Sequence, residues 1–136
     1  MSLKLFFFAA MAVTSTASHA STTSLASSSN PAFVGQAVTL QATVSGSNPT
    51  GPVQFVDDGG AIAGCASVAL SGTGDTKVAT CTTSWVAPGS HQITASYILD
   101  PYNGGSTSTI TQVVAASTLG TATIVSNPYG LSLIHI

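Results

Sequence analysis

The segment SWVAPGSHQITASY, residues 84–97, decides how this chain folds, because a short Pro-Gly turn leads directly into strict alternation of side chains. Two sets of residues alternate there: one is His91, Ile93, Ala95 and Tyr97, and the other is Gln92, Thr94 and Ser96. A period of two is typical of a β-strand that is buried on one side. We therefore predict a core strand that ends at Tyr97, with the first set facing inward.

The residues before this strand predict a structural corner. Trp85 supplies a large apolar anchor, Pro88 and Gly89 supply a turn, and His91 follows as a ring residue. Pro presets one backbone torsion and Gly permits conformations that other residues avoid, so the pair favours a sharp change of direction. We expect this corner to carry the chain from one β-sheet to another.

The composition restricts both the fold and the partners. Only 4% of the 136 residues are charged, with two Lys, four Asp and a formal net charge of -2. So few cations cannot neutralise many phosphates, which excludes nucleic acid as a partner. The abundance of Thr, Ser and Val, together with the lack of Glu and Arg, favours strands over helices.

Other segments alternate in the same way and are separated by turn residues. The clearest is AVTLQATVS at residues 37–45, where we expect Val38, Leu40, Ala42 and Val44 to face inward. Further strands are predicted at residues 22–26, 52–56 and 107–114, with an edge segment at 61–64. About seven short antiparallel strands with turns between them predict an all-β sandwich.

The first 20 residues have the features of a secretory signal peptide. One Lys precedes an apolar run at residues 5–13, and small polar residues follow up to Ala20. The apolar run is too short for a membrane-spanning helix, and cleavage is expected after Ala20. We therefore expect a secreted or cell-surface protein with no membrane span.

The exported part contains one pair of cysteines, Cys65 and Cys81. An even pair in an oxidising compartment predicts a disulfide, and no nearby ligands favour zinc instead. A loop at residues 71–75 would place the two cysteines directly opposite each other in a hairpin. We expect the disulfide to join an edge hairpin outside the main core and to contribute roughly 3 kcal/mol.

Several segments, taken in order, resemble bacterial immunoglobulin-like repeats of the group 3 type. They are Asn30-Pro31, Gly35-Gln36 before the 37–45 strand, TGPVQF at 50–55, DGG at 58–60, GSHQITASY at 89–97 and STSTITQVV at 106–114. The resemblance implies an immunoglobulin-like β-sandwich over residues 21–114, with neighbouring repeats of the same chain as partners. It also implies that there are no catalytic residues. Such folds commonly carry a Tyr at the corner, where this chain has His91.

The C-terminal residues allow more than one interpretation. Residues 126–130, SNPYG, echo the start of the repeat, so residues 115–130 are either the beginning of a second repeat or a linker. One choice of codons for LSLIHI at 131–136 reproduces a transposon-end sequence used in preparing sequencing libraries. We interpret these six residues as a non-native tail, with a short apolar strand or the start of an anchor helix as alternatives.

The sequence predicts no catalytic, cofactor-binding or metal-binding residues. His91 is the one histidine in the predicted domain, and no G-x-S-x-G motif is present. The four carboxylates divide between the two ends of the predicted sandwich. Asp57 and Asp58 are therefore interpreted as turn residues rather than calcium ligands. We expect a protein that is not an enzyme and that carries no cofactor.

Recognition is expected to involve loops at the end where the first strand begins. The loops at 47–50, 71–75 and 100–105 should cluster there, and Asp100, Tyr102 and Asn103 form the candidate contact set. The primary hypothesis is a structural or adhesive module of a larger bacterial surface or secreted protein. The alternative is a carbohydrate-binding accessory module of a secreted hydrolase. Candidate partners outside the chain are host or surface glycans or proteins.

Overall fold

The structure is a computed structural model that describes residues 18–117 and two later strands, β9 (Thr123–Asn127) and β10 (Gly130–Ile134). These two strands pair antiparallel with each other. Most of the predicted signal peptide, residues 1–17, lies outside the described residues, and so do residues 118–122, 128–129 and 135–136. The interpretations of the C-terminal segments as repeat, linker or tail therefore remain predictions.

Eight strands within residues 18–117 form a two-sheet sandwich. They are β1 (Thr22–Ser27), β2 (Ala32–Phe33), β3 (Val38–Ser45), β4 (Val53–Asp57), β5 (Gly60–Ala61), β6 (Thr76–Thr83), β7 (Gly89–Tyr97) and β8 (Ser106–Ala115). One sheet has the order β1-β3-β6 and the other has the order β2-β8-β7-β4-β5. The predicted all-β immunoglobulin-like sandwich is confirmed.

The core lies between the inward faces of the two sheets. In β3 every second residue is fully buried, namely Val38, Leu40, Ala42 and Val44. The facing sheet contributes Val53, Phe55, Ile93, Ala95 and Tyr97, all at most 2% exposed. Burying a side chain such as Phe55 contributes roughly 1.5–3 kcal/mol, so the alternating pattern supplies the main driving force for this sandwich.

One strand pair departs from the predicted antiparallel arrangement. After β1 the chain passes Pro31, which has no N–H to donate to a ladder, and then crosses to the other sheet. There β2 pairs parallel to β8, with Ala32 opposite Val114, and the Val34 N–H donates to the Ala115 carbonyl at 3.0 Å. The N-terminal part of the domain thus contributes one strand to each sheet, β1 to the first and β2 to the second.

The disulfide joins Cys65 to Cys81 as predicted, but its expected position outside the core is wrong. Both residues belong to the buried core, at 5% and 2% exposure. Cys81 lies in β6, whereas the carbonyl of Cys65 accepts a hydrogen bond from Phe55 of β4 at 3.0 Å. The bond therefore connects the two sheets.

The hairpin register behind that expectation is also wrong. Val68 pairs with Val53 of β4, and Ser71 pairs with Val78 of β6, so the segment after Cys65 passes from one sheet to the other. The predicted pairing of Val68 with Val78 is not formed. Contact with β4 replaces it because Val68 can then pack against the core.

The sandwich has two ends, which we name by the path of the chain. The entry end is where β1 begins and where the loops at 46–52, 71–75 and 98–105 lie. The exit end is where β8 finishes, β4 meets β5 and the segment at 84–88 connects β6 in one sheet to β7 in the other. The predicted corner thus lies at the exit end, with Trp85 only 7% exposed.

Candidate functional sites at the two ends of the sandwich

A buried carboxylate organises the entry end. Asp100 is 7% exposed and accepts hydrogen bonds from the backbone N–H groups of Thr50, Tyr102 and Asn103, each at 2.8 Å. The Tyr97 hydroxyl and the Asn103 side-chain amide also donate to it. This one side chain therefore fixes the loop that follows β7 and the loop that precedes β4.

These contacts shift two ionisation equilibria. Burial alone would raise the pKa of the Asp100 carboxyl, but hydrogen bonds from Tyr97, Thr50 and Asn103 outweigh it and hold that pKa well below its usual range. Burial, followed by the hydrogen bond to Asp100, raises the pKa of the Tyr97 hydroxyl. Asp100 is accordingly a carboxylate and Tyr97 a neutral phenol over the ordinary pH range.

Asn103 links the loop at 98–105 to the loop at 46–52. Its side chain is fully buried, with Oδ1 accepting from the Ser47 N–H at 2.6 Å and Nδ2 donating to the Ser47 carbonyl at 2.9 Å. The Gly46 N–H donates to the Asp75 carbonyl at 2.9 Å, which brings the third loop alongside. The three loops proposed for recognition thus lie together.

Of the three candidate contact residues, Tyr102 alone presents its side chain to solvent. It is 67% exposed, whereas Asp100 and Asn103 are buried and occupied by internal hydrogen bonds. Leu99, which was absent from the predicted set, is 68% exposed on the same loop, and Ile98 is 45% exposed. The accessible surface of this loop is therefore apolar and aromatic.

The segment before β1 lies against this loop. The His19 N–H donates to the Tyr102 carbonyl at 2.8 Å, and the His19 carbonyl accepts from the Gly104 N–H at 3.0 Å. Ser21 adds a hydrogen bond from its hydroxyl to the Ser106 hydroxyl at 2.9 Å. The backbone of the contact loop is therefore partly covered by residues adjoining the predicted cleavage position.

A second polar cluster lies at the exit end. The Trp85 indole N–H donates to Asp57 Oδ2 at 2.7 Å, and His91 Nδ1 lies 3.0 Å from Asp57 Oδ1. The two rings pack against each other in a tilted arrangement, with an angle of 39° between their planes and 5.3 Å between centroids. Asp57 thus anchors both rings of the corner.

Asp58 completes this cluster. Its Oδ1 accepts from the Gln92 N–H at 2.9 Å, and its Oδ2 lies 3.6 Å from His91 Nδ1. Asp57 is predicted from the sequence as a turn residue and His91 as a corner residue, and the structure brings the two together at the adjacent ends of β4 and β7. The alternation of side chains along β4 could have indicated this contact. Asp57 follows the inward-facing Val53 and Phe55 at intervals of two, so its side chain is expected on the same face.

Exposed aromatic side chains are scarce on the described surface. Trp85 and Tyr97 are 7% and 2% exposed, so neither presents a ring for a sugar to stack on. Phe33 is 49% exposed at the exit end of the sandwich. Tyr102 is consequently the one exposed Tyr or Trp side chain in residues 18–117.

Two sheets with this strand order define an immunoglobulin-like β-sandwich. The family model of the bacterial Ig-like domain (group 3) matches residues 24–116, so the chain belongs to that family. Domains of this family typically occur in surface or extracellular proteins. Among the described residues, no helix is long and apolar enough to cross a membrane. No curated protein and no solved structure gives a significant match.

Proposed function

We propose that this chain is a non-enzymatic structural and adhesive module of a larger bacterial surface or secreted protein. Residues 1–20 would direct its export as a signal peptide, so that the exported chain begins at the entry end, and a following domain of the same protein would adjoin the exit end. Family membership supports this role, because bacterial Ig-like domains typically occur in such proteins. The buried disulfide between Cys65 and Cys81 suits an oxidising compartment.

The path of the chain supports a spacer role. β1 begins at the entry end and the ten-residue strand β8 finishes at the exit end. At about 3.3 Å per residue, β8 separates these ends by roughly 33 Å. A domain joined to the exit end would therefore be held about that far from the loops of the entry end.

The observation that carries the adhesive role is the fixed apolar loop at the entry end. Asp100 and Asn103 hold the loop from inside, so that Leu99 and Tyr102 are displayed without a large loss of loop entropy on binding. Loops on a rigid scaffold are common recognition sites. A protein surface with an apolar depression is the partner that such a loop would suit.

Adhesion can be tested with beads coated with the exported chain, which begins at Ser21, and applied to host cells and to purified extracellular proteins. The double variant Leu99→Ser/Tyr102→Ala should reduce binding at least tenfold. Val86→Ser is the matched control, because Val86 is 96% exposed but lies at the exit end. Equal binding by the parent and the double variant would contradict the adhesive role.

Export can be tested separately by expressing the gene in a bacterial host and fractionating the cells. The expected product outside the cytoplasm begins at Ser21 and contains the disulfide. An intracellular product that retains residues 1–20 would contradict the proposed localisation.

The carbohydrate-binding alternative is favoured by the exposed ring of Tyr102. An exposed tyrosine can stack on a sugar, but a single ring makes a small platform. On a glycan array, this alternative predicts binding that is lost with Tyr102→Ala and retained with both Tyr102→Phe and Leu99→Ser. Absence of glycan binding by the parent would contradict this alternative.

A further inference from the structure

Three side chains at the exit end form a set that could ligate a metal ion. Their ligand atoms, one each from Asp57, Asp58 and His91, all lie within 4.8 Å of one another. His91 Nδ1 is 3.0 Å from Asp57 Oδ1 and 3.6 Å from Asp58 Oδ2. Two carboxylate oxygens therefore converge on one imidazole nitrogen.

In both Asp57 and Asp58, the carboxylate oxygen that does not approach His91 accepts a hydrogen bond, and this bond orients the carboxylate. The Trp85 indole holds Asp57 Oδ2 at 2.7 Å, and the Gln92 N–H holds Asp58 Oδ1 at 2.9 Å. Outer hydrogen bonds of this kind fix the direction of ligands around metal ions in proteins. The two oxygens nearest His91 are thus directed by Trp85 and Gln92, which are not among the three ligand residues.

The spacing suits a tetrahedral cation. Zinc binds imidazole nitrogen and carboxylate oxygen at about 2.0–2.2 Å, which places neighbouring ligand atoms about 3.3–3.5 Å apart at tetrahedral angles. The two separations from His91 Nδ1, 3.0 and 3.6 Å, lie on either side of that range. Changes of a few tenths of an ångström would bring both into it.

We propose that Asp57, Asp58 and His91 bind one divalent first-row transition-metal ion, for which Zn²⁺ is the natural probe. An imidazole ligand favours such ions over Ca²⁺ and Mg²⁺, which prefer oxygen ligands. Without metal, Nδ1 donates its hydrogen to Asp57. With metal, the ring adopts the tautomer protonated at Nε2, so that Nδ1 offers its lone pair without net loss of a proton.

The site leaves room for a fourth ligand. The side chains of His91 and Asp57 are 22% and 23% exposed, and that of Asp58 is 54% exposed. One side of the cluster therefore faces solvent, where water or a group from another molecule completes the coordination. Within residues 18–117, His91 is the one basic side chain within 4.0 Å of these two carboxylates, and it carries charge only when protonated, so a cation would add charge compensation that the fold does not supply.

The test is a calorimetric titration of the metal-stripped full chain with zinc chloride at neutral pH. Emission from Trp85, the single tryptophan of the sequence, is recorded in parallel because its indole contacts the ligand Asp57. We expect one zinc ion per chain, a change in emission, and a melting temperature that rises with zinc concentration. Calcium chloride at the same concentrations should produce none of these effects.

Two variants separate this site from other zinc binding. Asp58→Asn should weaken binding at least tenfold while leaving the zinc-free melting temperature almost unchanged, because Asp58 is an exposed turn residue. His91→Gln should remove the tryptophan response. Asp75→Asn, at the entry end, is the matched control and should bind like the parent. Binding that is equal in Asp58→Asn and the parent, or absent from the parent at millimolar zinc, would overturn the proposal.

Discussion

Replacing Asp100 with Asn tests whether the entry end is organised by a buried negative charge. The substitution preserves the shape of the side chain but exchanges one acceptor oxygen for an amide with two donor hydrogens. In the native protein both oxygens receive hydrogen bonds, from Thr50 and Tyr97 on one side and from Tyr102 and Asn103 on the other. An amide group would therefore face donors and leave at least one of them unsatisfied.

The magnitude follows from the number of donors. A hydrogen bond to a charged group contributes about 1.5–3 kcal/mol, and a buried donor left without a partner costs about 1–3 kcal/mol. Because neighbouring contributions are not additive, we expect a total loss of about 3 kcal/mol. For a domain of roughly 100 residues this corresponds to a fall in melting temperature of about 12–24 °C.

The assay is thermal and urea unfolding followed by circular dichroism between pH 7 and pH 2. Asp100 has a lowered pKa in the folded state, so its stabilising contribution is complete above the unfolded value of about 3.9 and is lost as the pH falls below it. The difference in unfolding free energy between parent and Asp100→Asn should therefore be constant above about pH 5 and shrink below about pH 4.

Asp75→Asn is the control, because Asp75 is an exposed loop residue at the same end whose side chain accepts one hydrogen bond, from the Asn48 N–H at 3.0 Å. It should change stability by less than about 1 kcal/mol. The reasoning is refuted if Asp100→Asn melts within a few degrees of the parent. It is also refuted if the difference between them stays the same down to pH 2.

Variants at three further places in the fold test the packing, and each is compared with the parent by its urea midpoint. Gly51→Ala should cost at least about 2 kcal/mol, because a Cβ there would lie 2.1 Å from a backbone carbonyl oxygen, while Gly60→Ala, with 3.6 Å available, should change little. Replacing both Cys65 and Cys81 with Ala should remove about 3 kcal/mol, and replacing both with Ser should remove more, because hydroxyls would be buried in the core. Trp85→Ala should cost about 3–5 kcal/mol, and a midpoint close to that of the parent would show that its ring contributes little packing.

The sheets were predictable because side-chain alternation determines which face of a strand is buried. In β3 every apolar residue of the pattern is fully buried, and the strand occupies Val38–Ser45, close to the predicted residues 37–45. The parallel pairing of β2 was not predictable, because a two-residue strand contains too little sequence to show a period. Its position depends on contacts with β8, which lies about 80 residues later in the chain.

The position of the disulfide between the two sheets could not be predicted from the local sequence. Cys65 and Cys81 could be joined either within one hairpin or between two sheets, and the spacing of 16 residues permits both. Burial of both residues in the core selects the second arrangement, and burial is a property of the whole fold. The same holds for Asp100, because nothing in the sequence distinguishes a buried loop carboxylate from an exposed one.

The position of the disulfide also determines how far the chain can extend under a pulling force. A stretched polypeptide gains at most about 3.3–3.6 Å per residue, so the 16-residue interval between Cys65 and Cys81 would add roughly 50 Å to the extended length if it were free. While the bond is intact, tension passes through the sulfur atoms and bypasses that interval. Force spectroscopy should therefore record a contour length about 50 Å shorter under oxidising than under reducing conditions.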